Sequence, residues 1–283
     1  MMKTLKTNVL ANGFSRLEAP RWHVGALWVS DTGAGKVYRV DIDGRATVVA
    51  DVPSRPFGLG FLPRGALLVA SMRKKQILNF SGSKPAIHAD MTGLAAGNLR
   101  DLAVARDGNT FVTCFDSEAS APDCFKTAQV LLTTPDGETR VVAEDLADPN
   151  GLAITSTHEL LVAETLGNRL LAFDIAGDGT LLYRKVFANF ERMSPLGICV
   201  DSEGAVWTAA ARQPLFVRIV QGGRVTHRVH VPGRQAVACE LGGADGRTLF
   251  CLTVAANLGE YSTRQQTSQV ETTLVEVPGP RAQ

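Results

Sequence analysis

Glu18, the neighbours Arg100 and Asp101, and Asn150 lie far apart along a chain of 283 residues, yet each stands near the start of a similar short motif. A carboxylate brought beside an amide and a guanidinium can move a proton, hold an anionic group or ligate an ion. Polar groups gathered in a partly buried site must pair with one another, bind an ion or bind a ligand. Whether these four residues converge depends on the elements that carry them.

Those elements repeat. Six segments align: "EAPRWHVGALWVSD" from Glu18, "PFGLGFLPRGALLVAS" from Pro56, "RDLAVARDGNTFVT" from Arg100, "PNGLAITSTHELLVAE" from Pro149, "PLGICVDSEGAVWTAA" from Pro195 and "QAVACELGGADGRTLFCLT" from Gln235. The interval between copies runs from roughly 38 to 49 residues, the length of a four-stranded propeller blade. Each copy is a short apolar strand, a Gly- or Asp-containing turn and a second strand, which is a hairpin signature. Further strand pairs lie between copies and break at "DIDG", "TPDG" and "AGDG". Helical periodicity is nearly absent.

The pattern predicts an all-β chain: a six-bladed β-propeller of four-stranded antiparallel sheets, with residues 1–283 as a single domain. Ring closure leaves only short, protected sheet edges. The strand near "TNVLA" is expected to complete the last blade beside "ETTLVEV". A hairpin solenoid would need capping repeats, and neither terminus resembles one.

In such a ring, the residues just before the repeated glycine or its equivalent meet at one mouth of the central channel. They are Glu18 and Ala19, Pro56 and Phe57, Arg100 and Asp101, Pro149 and Asn150, Pro195 and Leu196, and Gln235 and Ala236. Phe57, Arg73, Cys114, Asp116, Arg212, Arg234 and Gln235 are expected around the rim, with "CFDSEASAPDC" overhanging it. From this set the candidate catalytic residues are Glu18, Arg100 and Asp101. The candidate substrate contacts are Phe57, Asp116, Asn150, Leu196, Arg212 and Gln235.

Over nearly its whole length the sequence resembles the regucalcin (senescence marker protein)/gluconolactonase family of six-bladed propellers. "LEAPRWHVGALWVSD", "NLRDLAVARDGNTFV", "LADPNGLAITSTHELLVAETLGNRLLAFDIAGDGTL" and "SPLGICVDSEGAVW" carry the likeness, and "ACELGGADGRTLFCLT" matches the bacterial branch. The resemblance implies hydrolysis of sugar lactones or related esters. It also implies a divalent metal (calcium, magnesium, zinc, manganese or iron) held by a Glu, an Asn and an Asp. Glu18 and Asn150 match the first two. The Asp does not transfer, because this chain reads Pro195-Leu196-Gly197; and where the family has Asn-Asp, it has Arg100-Asp101.

Both departures act against a dication, one removing a charged oxygen ligand and the other adding a permanent cation. The metal is therefore expected to be weakened or absent, with the Arg100 guanidinium bordering its place and pairing with Glu18. Three functions remain open. They are a lactone hydrolase, a metal-independent lyase, isomerase or cyclase using Glu18 with Arg100, and a non-catalytic binding or scaffold propeller. The expected partner is a small molecule, oxygen-rich or anionic.

Composition narrows the classes. Lys plus Arg (29) nearly cancels Asp plus Glu (28), so no global field favours nucleic acid or an anionic membrane. The one basic run, Arg73-Lys74-Lys75, reads as a solvated turn. Five cysteines with no C-x-x-C pair argue against a disulfide framework and a zinc ribbon. Cys199, Cys239 and Cys251 fall in apolar strands, whereas Cys114 and Cys124 flank a loop that would expose them. No apolar leader or long apolar run is visible, so a cytoplasmic location is the expectation. Trp22, Trp28 and Trp207 read as packing between blades, and the five histidines as surface or packing residues.

Overall fold

The computed structural model describes residues 2–82, 84–115, 128–256 and 267–280. The chain opens with β1 (Lys3–Leu5) and β2 (Asn8–Phe14), then builds blades outward from the channel. Blade 1 is β3 (Leu17–His23), β4 (Ala26–Asp31), β5 (Lys36–Val40) and β6 (Ala46–Asp51). Blade 2 is β7 (Pro56–Phe61), β8 (Leu67–Ser71), β9 (Gln76–Asn79) and β10 (Ala86–Asp90). Blade 3 is β11 (Asn98–Val104), β12 (Thr110–Phe115), β13 (Gln129–Thr133) and β14 (Thr139–Ala143). Blade 4 is β15 (Pro149–Ile154), β16 (Glu159–Glu164), β17 (Arg169–Ile175) and β18 (Leu181–Asn189). Blade 5 is β19 (Pro195–Val200), β20 (Val206–Ala210), β21 (Leu215–Ile219) and β22 (Val225–His230). Blade 6 is β23 (Arg234–Gly242), β24 (Thr248–Ala255) and β25 (Ser268–Leu274), closed by β2.

The six-bladed propeller is therefore as expected, closing strand included: β2 runs antiparallel to β25, with Asn8 opposite Thr272. One sheet departs from four strands. β1 adds to the edge of blade 5 in parallel with β22, Lys3 opposite His227, so the N-terminus covers two blade edges. The predicted turns hold. Gly44, Gly137 and Gly179 close "DIDG", "TPDG" and "AGDG" at φ of 87°, 88° and 81°, a conformation costly to any residue with a Cβ.

The hydrophobic core is divided into six clusters, each lying between neighbouring blades. The cluster joining Leu17, Leu27 and Val29 of blade 1 to Phe250, Leu252 and Val270 of blade 6 seals the ring. Trp207 is wholly buried between blades 5 and 6, and Trp22 stacks on Phe250 with ring centroids 5.2 Å apart. Cys199, Cys239 and Cys251 are buried as expected. Cys114 is buried too, correcting its expected exposure: it lies within β12, and its side chain joins the cluster between blades 2 and 3. No helix among the described residues is long and apolar enough to cross a membrane.

The repeated Pro-x-Gly has a steric cause. A Cβ on Gly151 would lie 2.7 Å from the Leu196 carbonyl oxygen, and one on Gly197 2.3 Å from the Ala238 Cβ. Adjacent inner strands nest backbone to backbone at these glycines, around the channel.

Candidate active site

All six inner strands are bulged near the mouth of the channel. The register shifts fall at Glu18/Arg21, Pro56/Leu59, Leu99/Leu102, Pro149/Leu152, Pro195/Ile198 and Ala236/Ala238. A bulge sets two residues against one and re-aims their side chains. It also corrects the alignment of copies by one residue. Glu18 is equivalent to Pro56, Leu99, Pro149 and Pro195, whereas Arg100, Asn150 and Leu196 share their place with Ala19 and Phe57. Asp101 stands where Gly58, Gly151 and Gly197 stand in other blades.

Glu18, Phe57, Asp101 and Asn150 converge on one cavity at this level, with Arg21 and Cys239 also in its wall. The cavity measures about 10 Å³, room for about one water. Glu18 is 7% exposed, and one oxygen accepts a hydrogen bond from Arg16 Nε at 3.3 Å. Burial raises its carboxyl above the usual range, while Arg16 and then Arg100 pull it back.

Asp101 is committed to the fold. Its Oδ1 accepts from Arg21 Nη2 at 2.6 Å and from its neighbour Leu102 N at 2.9 Å; its Oδ2 accepts from Leu152 N of blade 4 at 3.0 Å. Arg21 also donates to Leu102 O at 2.6 Å and Pro20 O at 2.7 Å. Reaching from blade 1 past blade 2 to blade 3, its guanidinium crosses the channel.

Arg100 does not take the expected partner. Its Nη1 pairs with Asp148 Oδ1 at 2.8 Å, and its guanidinium lies over the Phe115 ring, 4.9 Å from the centroid. The ion pair to Glu18 comes instead from Arg16. The bulge explains the exchange: Arg100 is one residue further along its bulge than Glu18, and Asp148 of the β14–β15 connection lies within its reach.

The other candidates divide. Phe57 and Asn150 line the cavity. Leu196 is half-buried and packs on the apolar cluster between blades 5 and 6. Arg212 is exposed in the β20–β21 turn, and Gln235 donates to Ala256 O at 3.3 Å, neither of them in the cavity wall. Asp116 and Cys124 lie outside the described residues.

Four further residues shape the site: Arg16, Arg21, Asp148 and Glu240. Two had a visible signal, since Arg21 in "APRWH" and Glu240 in "ACELG" are charges inside otherwise apolar strands. Charges so placed are paired or strongly perturbed. Arg16 and Asp148 sit in loops, where nothing in the sequence marks them.

The donor set does not fit a divalent metal. Glu18 and Asn150 are present, but Leu196 replaces the third ligand and both Asp101 oxygens are engaged. Arg16 and Arg100 already bring positive charge to Glu18. Among the described residues no group of three or more His, Cys, Asp or Glu is placed to hold a metal.

Residues 17–255 match the model of the SMP-30/Gluconolactonase/LRE-like region, well over half of the chain. The protein belongs to that family. Among its relatives is the 6-deoxy-6-sulfogluconolactonase of Pseudomonas putida, 24% identical over 93% of this chain and 92% of that one. The diisopropyl-fluorophosphatase of Loligo vulgaris is 26% identical over 57% of each. The calcium-binding protein regucalcin of Agrobacterium tumefaciens has the same fold, with a TM-score of 0.81 over 99% of this chain and 98% of that one, at 18% identity. In this gluconolactonase-type chain, the metal pattern expected from the resemblance is broken at Leu196 and Arg100.

Proposed function

We propose that the protein hydrolyses cyclic esters of the sugar-lactone type at the channel mouth, with Glu18 as general base. The observation that carries this reading is the buried Glu18 facing a water-sized cavity shared with Asn150 and Phe57. A carboxylate raised by burial is a stronger base once ionised. Glu18 takes a proton from water as that water attacks the ester carbonyl. The Asn150 amide and the Arg100 guanidinium offset charge growing on the carbonyl oxygen. The ring oxygen then leaves, and Glu18 returns the proton to it. Phe57 presents an apolar surface to the ring. A relative named for a sulfogluconolactone, alignable end to end, supports the ester class.

The same residues support a second reading, a metal-independent lyase, isomerase or cyclase. It is favoured by the replacement of a ligand position by Leu196 and by the arginines beside Glu18. One experiment separates the two. Ring opening of a lactone panel is followed by pH-stat with chelator-dialysed wild type and Glu18→Gln, in water enriched in heavy oxygen. Hydrolysis that survives chelation, incorporates the label and falls about 100- to 10,000-fold in the variant upholds the proposal. Activity abolished by chelator and restored by a divalent ion would refute it. Product without label would shift the assignment to the second reading.

A further inference from the structure

The basic run Arg73-Lys74-Lys75 is built into the rim of the site. Ser71, the last residue of β8, pairs with Pro56 at the mouth end of β7, so the β8–β9 turn opens on the mouth face. That turn is pinned by its backbone. Met72 N donates to Arg55 O at 2.9 Å, Arg73 N to Ser54 O at 3.2 Å, and Met91 N to Lys75 O at 2.9 Å. Leu99 N donates to Met72 O at 3.1 Å, which ties the turn to the inner strand of blade 3 at the residue before Arg100. Lys75 Nζ is used locally, on Ala95 O at 2.9 Å. Arg73 and Lys74 are exposed, and among the described residues neither forms an ion pair. On that inner strand Arg100 is itself engaged, held by Asp148 and the Phe115 ring.

The protein carries a net charge of only +1, so this grouping of cations at one sector of the mouth is not a consequence of bulk composition. We infer that the substrate bears an anionic group, a carboxylate, sulfonate or phosphate, apart from the ester it presents to Glu18. That group seats at the blade 2 rim of the mouth, against Arg73 and Lys74. Arginine pairs with such oxyanions through two parallel hydrogen bonds, while lysine supplies an adjustable point charge. Because both cations face solvent, the preference weakens as salt rises. This inference rests on the hydrolase reading for the position of the ester, but the anion site itself does not.

The test compares gluconolactone with 6-phosphogluconolactone on the wild type and on an Arg73→Ala/Lys74→Ala double variant. The phosphorylated lactone is expected to have the lower KM on the wild type, with the advantage shrinking in high salt. In the double variant its KM rises about 10-fold, the scale for two exposed charge pairs, while the neutral lactone moves far less and kcat holds for both. Equal KM values for the two lactones on the wild type, or an equal rise for both in the variant, would overturn the inference. If neither lactone is turned over, the hydrolase reading fails and calorimetry decides the anion site. Glucose 6-phosphate binding more tightly than glucose, with the difference lost in the double variant, upholds it; no difference between them sinks it.

Discussion

Glu240 offers the sharpest test of how charge is arranged in the channel. It lies on β23, and its Oε1 accepts from the neighbouring Leu241 N at 2.9 Å. Burial pushes its carboxyl up to about 7; Arg21 and the Leu241 amide oppose the rise and Asp101 adds to it. In the unfolded chain the same carboxyl titrates near 4.5. Between those values the folded protein binds the extra proton, so stability falls as pH climbs from 4.5 towards 7 and the whole loss is present above 7. At about 1.4 kcal/mol per pH unit, a gap of 2.5 (7 minus 4.5) corresponds to about 3 kcal/mol. Glu240→Gln cannot ionise, and its amide oxygen can still accept from Leu241 N. The variant should therefore match the wild type at a pH near the unfolded value and exceed it by about 3 kcal/mol above neutrality. For a chain of this length the difference is about 5 °C in melting temperature. Urea titrations and thermal melts of both proteins across that range measure it, and subtracting one pH dependence from the other isolates Glu240 from every other group. Parallel curves would show that Glu240 is solvated or fully paired by Arg21, and that burial does not hold its carboxyl up.

Three further outcomes follow from the same geometry. The acid limb of kcat/KM for lactone opening should have its midpoint above 4.5, activity rising as Glu18 ionises, and Glu18→Gln should lack that limb; pH-stat rates across the acid range check both. Arg21→Met, which leaves the buried Asp101 carboxylate without its cation, should cost about 3 to 5 kcal/mol in urea unfolding, with part restored by adding Asp101→Asn. A calcium titration should leave the wild-type unfolding free energy unmoved but raise that of an Arg100→Asn/Leu196→Asp variant by about 2.7 kcal/mol at a hundredfold excess over Kd, read from urea unfolding; an equal gain in the wild type would contradict the donor-set reading.

Much of this protein is written in local sequence. The strand period, the glycines at the hairpin turns and the recurring motif each depend on a few neighbouring residues, so six blades and their order could be read directly. Closure by β2 was readable as well, because the final blade lacked a strand and "TNVLA" supplied one. The convergence of Glu18, Asp101 and Asn150 on one mouth followed from the ring. The pairings at that mouth did not. Arg100 goes to Asp148 and Arg16 to Glu18 because each inner strand carries an extra residue, and strands buried on both faces have no apolar–polar alternation for that residue to break. Arg21 and Glu240 announced themselves as charges in apolar strands, but only the tertiary structure showed that Arg21 spans the channel to Asp101 and comes under the field of Glu240. Local pattern thus brought Glu18, Phe57, Asp101 and Asn150 to the cavity, but did not separate them from Arg212 and Gln235, which lie outside its wall. The side-chain partners there were decided by distances of a few ångströms across blades, set by backbone register.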